Sequence, residues 1–563
     1  MTSFDRAAAL ERLGRDHFDV LVIGGGATGC GVALDAAARG LTVALVERDD
    51  LASGTSSKSS KLVHGGLRYL QQREIALVYE NLRERQRLLS NAPHLVKVLP
   101  FLIPVFSQSF RRGGRRGMPD SAVAKGISWA LWLYDLTGGW RVGKLHRRIT
   151  REEALAHLPT LRADALAAAF LYYDAQTDDA RLTLALARTA AICHQACVVN
   201  HAPVVAFTCD GGGRVSGAVV VPDGGARVSV RARCVVNATG VWADELHALD
   251  GGRPSPTIRP AKGVHLTVSA SALPCDVAAI VTAHDKRSVF VVPWRAGEGG
   301  PPLTYLGTTD TEYDGPLDDP QCTHEDVAYV LDAVNRWLDR PLTPNDVVGT
   351  WAGLRPLLVG DDLGERTRDL SRRHKVTTSA SGVVTIGGGK LTTYRKMAED
   401  TVDEVVRRLG CGPRRCPTRR LPLIGAPGLD QAAQDRLGLE PPVAAHLAAR
   451  YGSEARVVAA LVEADAELGR PIVPGLPDLR AEVVHAARHE MARTVDDVLA
   501  RRTRLRLQAR DASAAAADDV AGLLATELGW HPAETAARAE AYCASIEHER
   551  TAPGLPATTL GVP

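Results

Sequence analysis

Apolar runs of two different periods divide the chain. Residues 18–23, FDVLVI, and 41–47, LTVALVE, are short and nearly continuous in apolar side chains, the pattern of strands buried on both faces. Between them, GGGATG at 24–29 and the Ala-rich CGVALDAAARG ending at Gly40 predict a glycine turn and a helix. Two later segments repeat this order. RARCVVNATGVWADE (231–245) predicts a strand ending in Asn-Ala-Thr-Gly before a helix, and VVTIGGGKLTTYRKMAED (383–400) a strand, a glycine turn and a helix start. Between 253 and 313 the runs KGVHLTVSA, RSVFVVPW and LTYLGTTD predict a mixed or antiparallel sheet. From 427 to 548 Ala, Leu, Arg and Glu recur at helical spacing, as in VHAARHEMARTVDDVLARR.

The first of these units carries chemistry. Gly24, Gly26 and Gly29 satisfy G-x-G-x-x-G between a strand and a helix, and the next strand ends in Glu47. Gly24 permits the tight turn, Gly26 lets the backbone approach a pyrophosphate, and Gly29 allows close helix–strand packing. The helix N-terminus offers N–H groups to the phosphates, and Glu47 is positioned to accept hydrogen bonds from an adenosine ribose. Such a unit serves NAD or FAD. Two remote strand–glycine–helix returns, at Ala238, Thr239 and Gly240 and at Gly389, Lys390, Leu391 and Thr392, suggest one long cofactor touched by distant segments.

Bulk properties narrow the picture. The 563 residues suffice for two or three domains, and 45% hydrophobic with 23% charged residues is ordinary for a globular protein. A net charge of +2 gives a nucleic-acid role no support. The closest pairs among the ten cysteines, Cys193/Cys197 and Cys411/Cys416, lack a zinc-knuckle pattern, so reduced thiols and no metal are expected. No apolar run reaches the ~18–20 residues of a membrane span. MTSFDRAAALERLGRDHFDV has no signal-peptide core and reads as a short helix before the first strand. A cytoplasmic location follows as the expectation.

One further segment, TSSKSSKLVHGGLRYL at 55–70, crowds hydroxyls, lysines, a histidine, Gly-Gly and an arginine just after Glu47. With GGGATG, VNATGVWAD, KGVHL, DKRSVFVVPW, LGTTDTEYDG, WAGLRPL, RTRD, GGKLTTYRKMAE and RTVDDVLARRTRL, it resembles the FAD-dependent, quinone-linked glycerol-3-phosphate dehydrogenases over nearly the whole chain. No calcium-loop pattern follows residue 510, so the resemblance is to the bacterial form. The fold it implies is α/β: a Rossmann-like FAD-binding domain (1–90, 150–245, 345–410) interleaved with a mixed-sheet substrate domain (91–150, 246–344). An all-α C-terminal domain (427–548) and a disordered tail (549–563) complete it. In a flavoprotein of this type the 55–70 segment runs beneath the cofactor. Thr55, Ser56, Ser57 and Ser60 then donate to pyrophosphate and ribityl oxygens. Leu62 and His64 contact the cofactor, and Gly65 and Gly66 pass the flat ring without a Cβ clash. The competing reading is a polar surface loop with Lys58 and Lys61 in solvent.

The resemblance also implies a reaction: sn-glycerol 3-phosphate is oxidised to dihydroxyacetone phosphate. Its substrate-side residues are Arg68, Tyr69, Arg355, Arg368 and Lys390, since a phosphomonoester calls for fixed cations. The proton acceptor is a histidine. His265 in KGVHL and His64 in LVHGG are the candidates, with His265 favoured, and Arg355 stabilises the developing alkoxide. The electron acceptor implied is a membrane quinone, and a homo-oligomer is expected. Residues 110–148 set Trp and Tyr between basic clusters; a peripheral membrane contact on the inner face and a buried helix beside basic loops fit this pattern equally. Three rivals remain at this point: a glycerophosphate oxidase using oxygen, an amino-acid oxidase of the same fold, and a non-catalytic nucleotide-binding protein.

Overall fold

The structure, a computed structural model, describes residues 4–71, 74–107, 120–251, 257–294, 303–359, 373–426, 428 and 430–558, with only the backbone of Arg68 and Gln71. Asp5 caps the helix Arg6–Arg15 by accepting from the Ala7 and Ala8 N–H groups, and the chain then enters the strand His17–Ile23. This strand runs parallel to Val43–Val46 on one side and Val228–Asn237 on the other, and the latter is parallel to Val384–Gly387. Three adjacent parallel strands therefore end at Ile23, Asn237 and Gly387, and all three glycine returns emerge along one sheet edge. That is the crevice outside the carboxyl ends where open α/β sheets bind ligands. Sequence separation of more than 200 residues becomes a distance of one strand spacing. The helix Ala27–Ala38, buried along nearly its whole length, packs between Asp179–His194 and Tyr394–Leu409.

The second sheet is mixed. The strand Ile258–Ser269 lies between Val347–Leu358 and Leu303–Gly307, both antiparallel to it. The sheet continues through Ser288–Trp294, Ala278–Thr282, Val96–Phe106, Leu166–Thr177 and Leu62–Val63, with Ala278–Thr282 and Val96–Phe106 the one parallel pair among these. Strand pairing brings Leu62–Val63, Leu166–Thr177 and Val347–Leu358, from the sequence ranges 1–90, 150–245 and 345–410, into this second sheet. An apolar run identifies a strand without naming its partner, and only pairing decides the sheet.

From Gln431 the described chain is helical through Thr551 apart from short connections. Two sets of charges tie this region to the rest. Arg502 clamps the Asp50 carboxylate with both terminal nitrogens (2.7 and 2.8 Å), and Arg181 reaches Glu490 at 2.8 Å. Residues 549–558 are ordered, contrary to the disordered tail expected. Leu555 is buried in the core of the second sheet, Arg510 Nη2 donates to the Pro556 carbonyl (2.8 Å), and the Thr558 N–H donates to Asp511 (2.8 Å). One apolar residue with a prepared pocket outweighs a Pro- and Thr-rich composition; 559–563 lie outside the described residues.

Candidate active site

A cavity opens along the shared edge of the three parallel strands. Gly24, Gly26, Thr28, Glu47, Thr55, Ser56, Ala238, Thr239, Gly240, Gly389, Lys390 and Leu391 line it, so most of the predicted cofactor residues meet there. The glycine requirements are physical. At Gly24 (φ +112°) a Cβ would stand 2.6 Å from the Ala238 carbonyl oxygen, and at Gly29 only 1.9 Å from that of Gly24. The Ser56 hydroxyl accepts from the Ala27 N–H (2.9 Å) at the start of the helix. Glu47 accepts from the Gly25 and Asp49 N–H groups (2.6 and 2.9 Å), while burial pushes its carboxyl up. Residues missed in the sequence complete the rim: Trp242 donates to Asp318 (2.9 Å), and Arg48 reaches the same carboxylate (2.6 Å) and stacks on Trp242. Trp242 and Arg48 line the cavity, whereas their shared acceptor Asp318 lies outside its lining.

Several predicted cofactor residues lie elsewhere. Ser57 is buried with its hydroxyl directed at the Gly54 carbonyl, and Leu62 pairs with Gln176 in the second sheet. The His64 N–H donates to Thr392 Oγ1 (3.2 Å), which joins two of the predicted segments. Gly65 and Gly66 are required by protein neighbours. A Cβ on Gly65 would meet the Tyr134 hydroxyl at 2.5 Å, and one on Gly66 (φ +81°) would meet the Tyr69 ring at 2.4 Å. Tyr69 itself faces Lys390, whose Nζ sits 3.7 Å from the ring centroid. The surface-loop reading fails at Lys61, which is fully buried; Lys58 is partly buried, 4.0 Å from Asp319. The side chain of Arg68, and Arg368 entirely, lie outside the described residues.

The catalytic candidates share one face of the second sheet. In register, His265 opposes Trp351, Gly263 opposes Gly353, and Ala261 opposes Arg355. Side chains two apart on a strand point the same way, so an imidazole and a guanidinium flank a gap made by two glycines. The gap is used: a Cβ on Gly263 would stand 2.5 Å from Arg355 Nη2, and one on Gly353 2.6 Å from the Lys58 carbonyl oxygen. Arg355 is fixed by Asp310 (3.1 Å), the Thr308 hydroxyl (3.1 Å) and the Thr309 carbonyl (3.0 Å). His265 is buried, with Nε2 2.8 Å from the Ser60 hydroxyl and Nδ1 without a hydrogen-bond partner among the described residues. Burial first, then the charges of Lys61 and Arg355, hold this imidazole well below its usual range, so it is neutral.

Comparison with known proteins gives the family. Residues 19–395 match the family model described as FAD dependent oxidoreductase, and 416–535 match the C-terminal domain of alpha-glycerophosphate oxidase. Glycerol-3-phosphate dehydrogenase 2 of Mycobacterium tuberculosis is 42% identical over 552 residues, 97% of this chain and 90% of that one. The chain belongs to the FAD-dependent glycerol-3-phosphate dehydrogenases. The mitochondrial glycerol-3-phosphate dehydrogenase of Mus musculus is 39% identical over 91% of this chain and 71% of its own. The crystal structure of the glycerol-3-phosphate dehydrogenase from Bacillus halodurans complexed with FAD superposes with a TM-score of 0.76 at 30% identity, covering 98% of each chain. This glycerol-3-phosphate dehydrogenase therefore uses FAD, and its strand-edge cavity fits that group. Glycines line it where a side chain would collide, a helix N-terminus opens into it, and Glu47 stands at the end of the second strand.

Proposed function

We propose that the enzyme oxidises the secondary alcohol of sn-glycerol 3-phosphate to dihydroxyacetone phosphate and passes the electrons to a membrane quinone. Bound FAD supplies the hydride acceptor. The observation that carries this reading is the sheet face shared by His265 and Arg355, a neutral imidazole and a fastened cation separated by Gly263 and Gly353. His265 takes the hydroxyl proton while Ser60 holds its Nε2 side. Arg355, held by three partners, offers a charge that needs no reorganisation when the alkoxide develops. Lys390, against Tyr69, serves the phosphate together with Arg68 and Arg368. Thr55, Ser56, Gly24, Gly26, Glu47 and the two later glycine returns hold the cofactor.

The quinone reading draws support from the helix Asp120–Leu136. It buries Leu131 and Tyr134 but leaves Trp129 72%, Trp132 51% and Leu136 75% exposed, and Trp140 just beyond is 56% exposed. Arg141 stacks on both Tyr79 and Trp140, giving a band of indole, phenol and guanidinium suited to a lipid headgroup layer. No helix among the described residues is long and apolar enough to cross a membrane, so the contact proposed is peripheral, on the inner face.

Anaerobic addition of glycerol 3-phosphate to the purified protein is the test. Flavin absorbance is expected to bleach, while unphosphorylated glycerol leaves it unchanged; no bleaching with the phosphate ester refutes the substrate. Under air, little peroxide with fast reduction of a soluble quinone is expected. Peroxide formed at the rate of substrate oxidation would assign oxygen as the acceptor instead.

A further inference from the structure

The stretch Ser57–Lys61 turns sharply, with Lys61 in the left-handed region (φ +55°), and its backbone is held by side chains from four distant parts of the chain. The Ser57 carbonyl accepts from Lys61 Nζ (3.1 Å) and from Arg504 Nη1 (3.3 Å). The Ser59 carbonyl accepts from the Trp351 indole N–H (3.1 Å), and the Ser60 carbonyl from the Tyr305 hydroxyl (2.7 Å). Asp179 accepts from the Ser59 N–H (3.0 Å) and hydroxyl (2.6 Å), and its other oxygen takes Lys61 Nζ (3.1 Å) and Arg504 Nη2. Arg504 also meets Asp178 (3.0 Å). The charges balance inside the protein: Lys61 and Arg504 against Asp178 and Asp179. Lys61, Arg504 and Asp179 are almost wholly buried. Of these clamps, only Arg504 comes from the C-terminal helical region.

We infer that Arg504 is a positioning residue for the redox centre, through which the C-terminal helical domain seats the Ser60 hydroxyl against His265. This rests on the reading of His265 as the proton acceptor. The physical reason is that Asp179 has two oxygens and five donors to serve, its own helix's Ala180 N–H (3.1 Å) included. Without Arg504 a buried carboxylate pair keeps a single cation, and the arrangement that fixes Ser59 and Lys61 loses its counter-charge. A displaced Ser60 releases the Nε2 side of the imidazole. Misplacements of this size cost rate more than affinity.

The test is a double-mutant cycle on flavin reduction by glycerol 3-phosphate, measured anaerobically per bound FAD at saturating substrate. Arg504→Met is expected to slow reduction about a hundredfold with substrate affinity nearly unchanged, as a displaced catalytic group does. Arg504→Lys, which keeps the charge, recovers part of the rate. In a His265→Gln background, Arg504→Met is expected to add almost nothing, because its effect runs through His265. Arg488→Ala, in the exposed pair with Glu527 of the same domain, changes neither quantity. Equal factors in both backgrounds, or full rate per bound FAD in Arg504→Met, overturn the inference. If His265→Gln leaves reduction fast, the base assignment falls separately. Should Arg504→Met not hold FAD, Asp179→Asn takes its place in the cycle and must show the same loss of additivity.

Discussion

The imidazole of His265 lies flat on the indole of Trp351, with ring centroids 4.7 Å apart and planes 10° apart. The two residues face each other across an antiparallel pair, so the stack is a cross-strand contact held by backbone register. An indole face attracts a buried cation by about 2 kcal/mol or somewhat more. That is less than burying an unpaired charge costs, and Lys61 already stands 4.7 Å from the same ring. The stack therefore holds a neutral ring. It fixes the plane of the base while Ser60 fixes its edge.

His265→Gln is expected to lower the rate of flavin reduction by ~10²–10⁴-fold, the usual contribution of a general base, with FAD retained. In the parent protein the folded-state value of His265 lies below the ordinary ~6.5. The proton-accepting form thus persists as pH falls through that value, and kcat/KM should decline only on its acid side. The sign for stability is the same. Between the lowered value and ~6.5 the unfolded chain binds more protons, so this group's contribution is full above ~6.5 and is lost as pH falls. A pH–rate profile breaking at or above 6.5 contradicts the burial of a neutral base.

Trp351→Phe keeps a flat ring beneath His265 but removes the N–H that serves the Ser59 carbonyl. One lost hydrogen bond of about 1 kcal/mol corresponds to a several-fold fall in flavin reduction. Trp351→Leu loses both contacts and should fall further. Equal rates for the two variants would show that the ring plane is irrelevant, and stopped-flow absorbance distinguishes the cases.

Gly353→Ala places a methyl 2.6 Å from the Lys58 carbonyl oxygen, a backbone atom that cannot swing aside. Overpacking of this kind costs about 1–3 kcal/mol. Thermal unfolding should show a lowered Tm, and the displaced 57–61 turn a reduced rate per bound FAD. An unchanged Tm with full activity would mean that the turn does not rest on this strand.

Gly29→Ala brings a methyl to 1.9 Å from the Gly24 carbonyl oxygen and forces the turn and helix apart. The protein is expected to purify without flavin absorbance. Retention of stoichiometric FAD would exclude this turn from the cofactor site.

Trp129→Gln combined with Trp132→Gln removes two largely exposed indoles. Sedimentation with vesicles containing anionic lipid should show binding weakened tenfold or more, on the order of the ~1.4 kcal/mol that partial burial of two aromatic rings supplies. Flavin reduction by glycerol 3-phosphate should not change. Unaltered vesicle binding removes this face from the membrane contact.

Much of this protein was determined by local sequence. Strand–glycine–helix order, helical spacing after residue 427 and the KGVHLTVSA, RSVFVVPW and LTYLGTTD strands all appear in the fold, because side-chain period and turn chemistry are properties of a few neighbouring residues. Glycines whose Cβ would strike a backbone atom, Gly24 and Gly29 among them, were legible for the same reason. What only the tertiary structure decided is who stands beside whom. Nothing near Trp351 announces that it opposes His265 across the sheet, that Lys61 is buried against its ring, or that Asp179 and Arg504, 325 residues apart, share one carboxylate contact. Composition measures average solvation, so it reveals neither the burial of Lys61 in a polar segment nor that of Leu555 in a Pro-rich tail. Burial depends on whether distant parts of the chain supply a counter-charge or a pocket. Register and long-range charge pairing are set when the sheets close and the helical domain docks, and no window of sequence contains them.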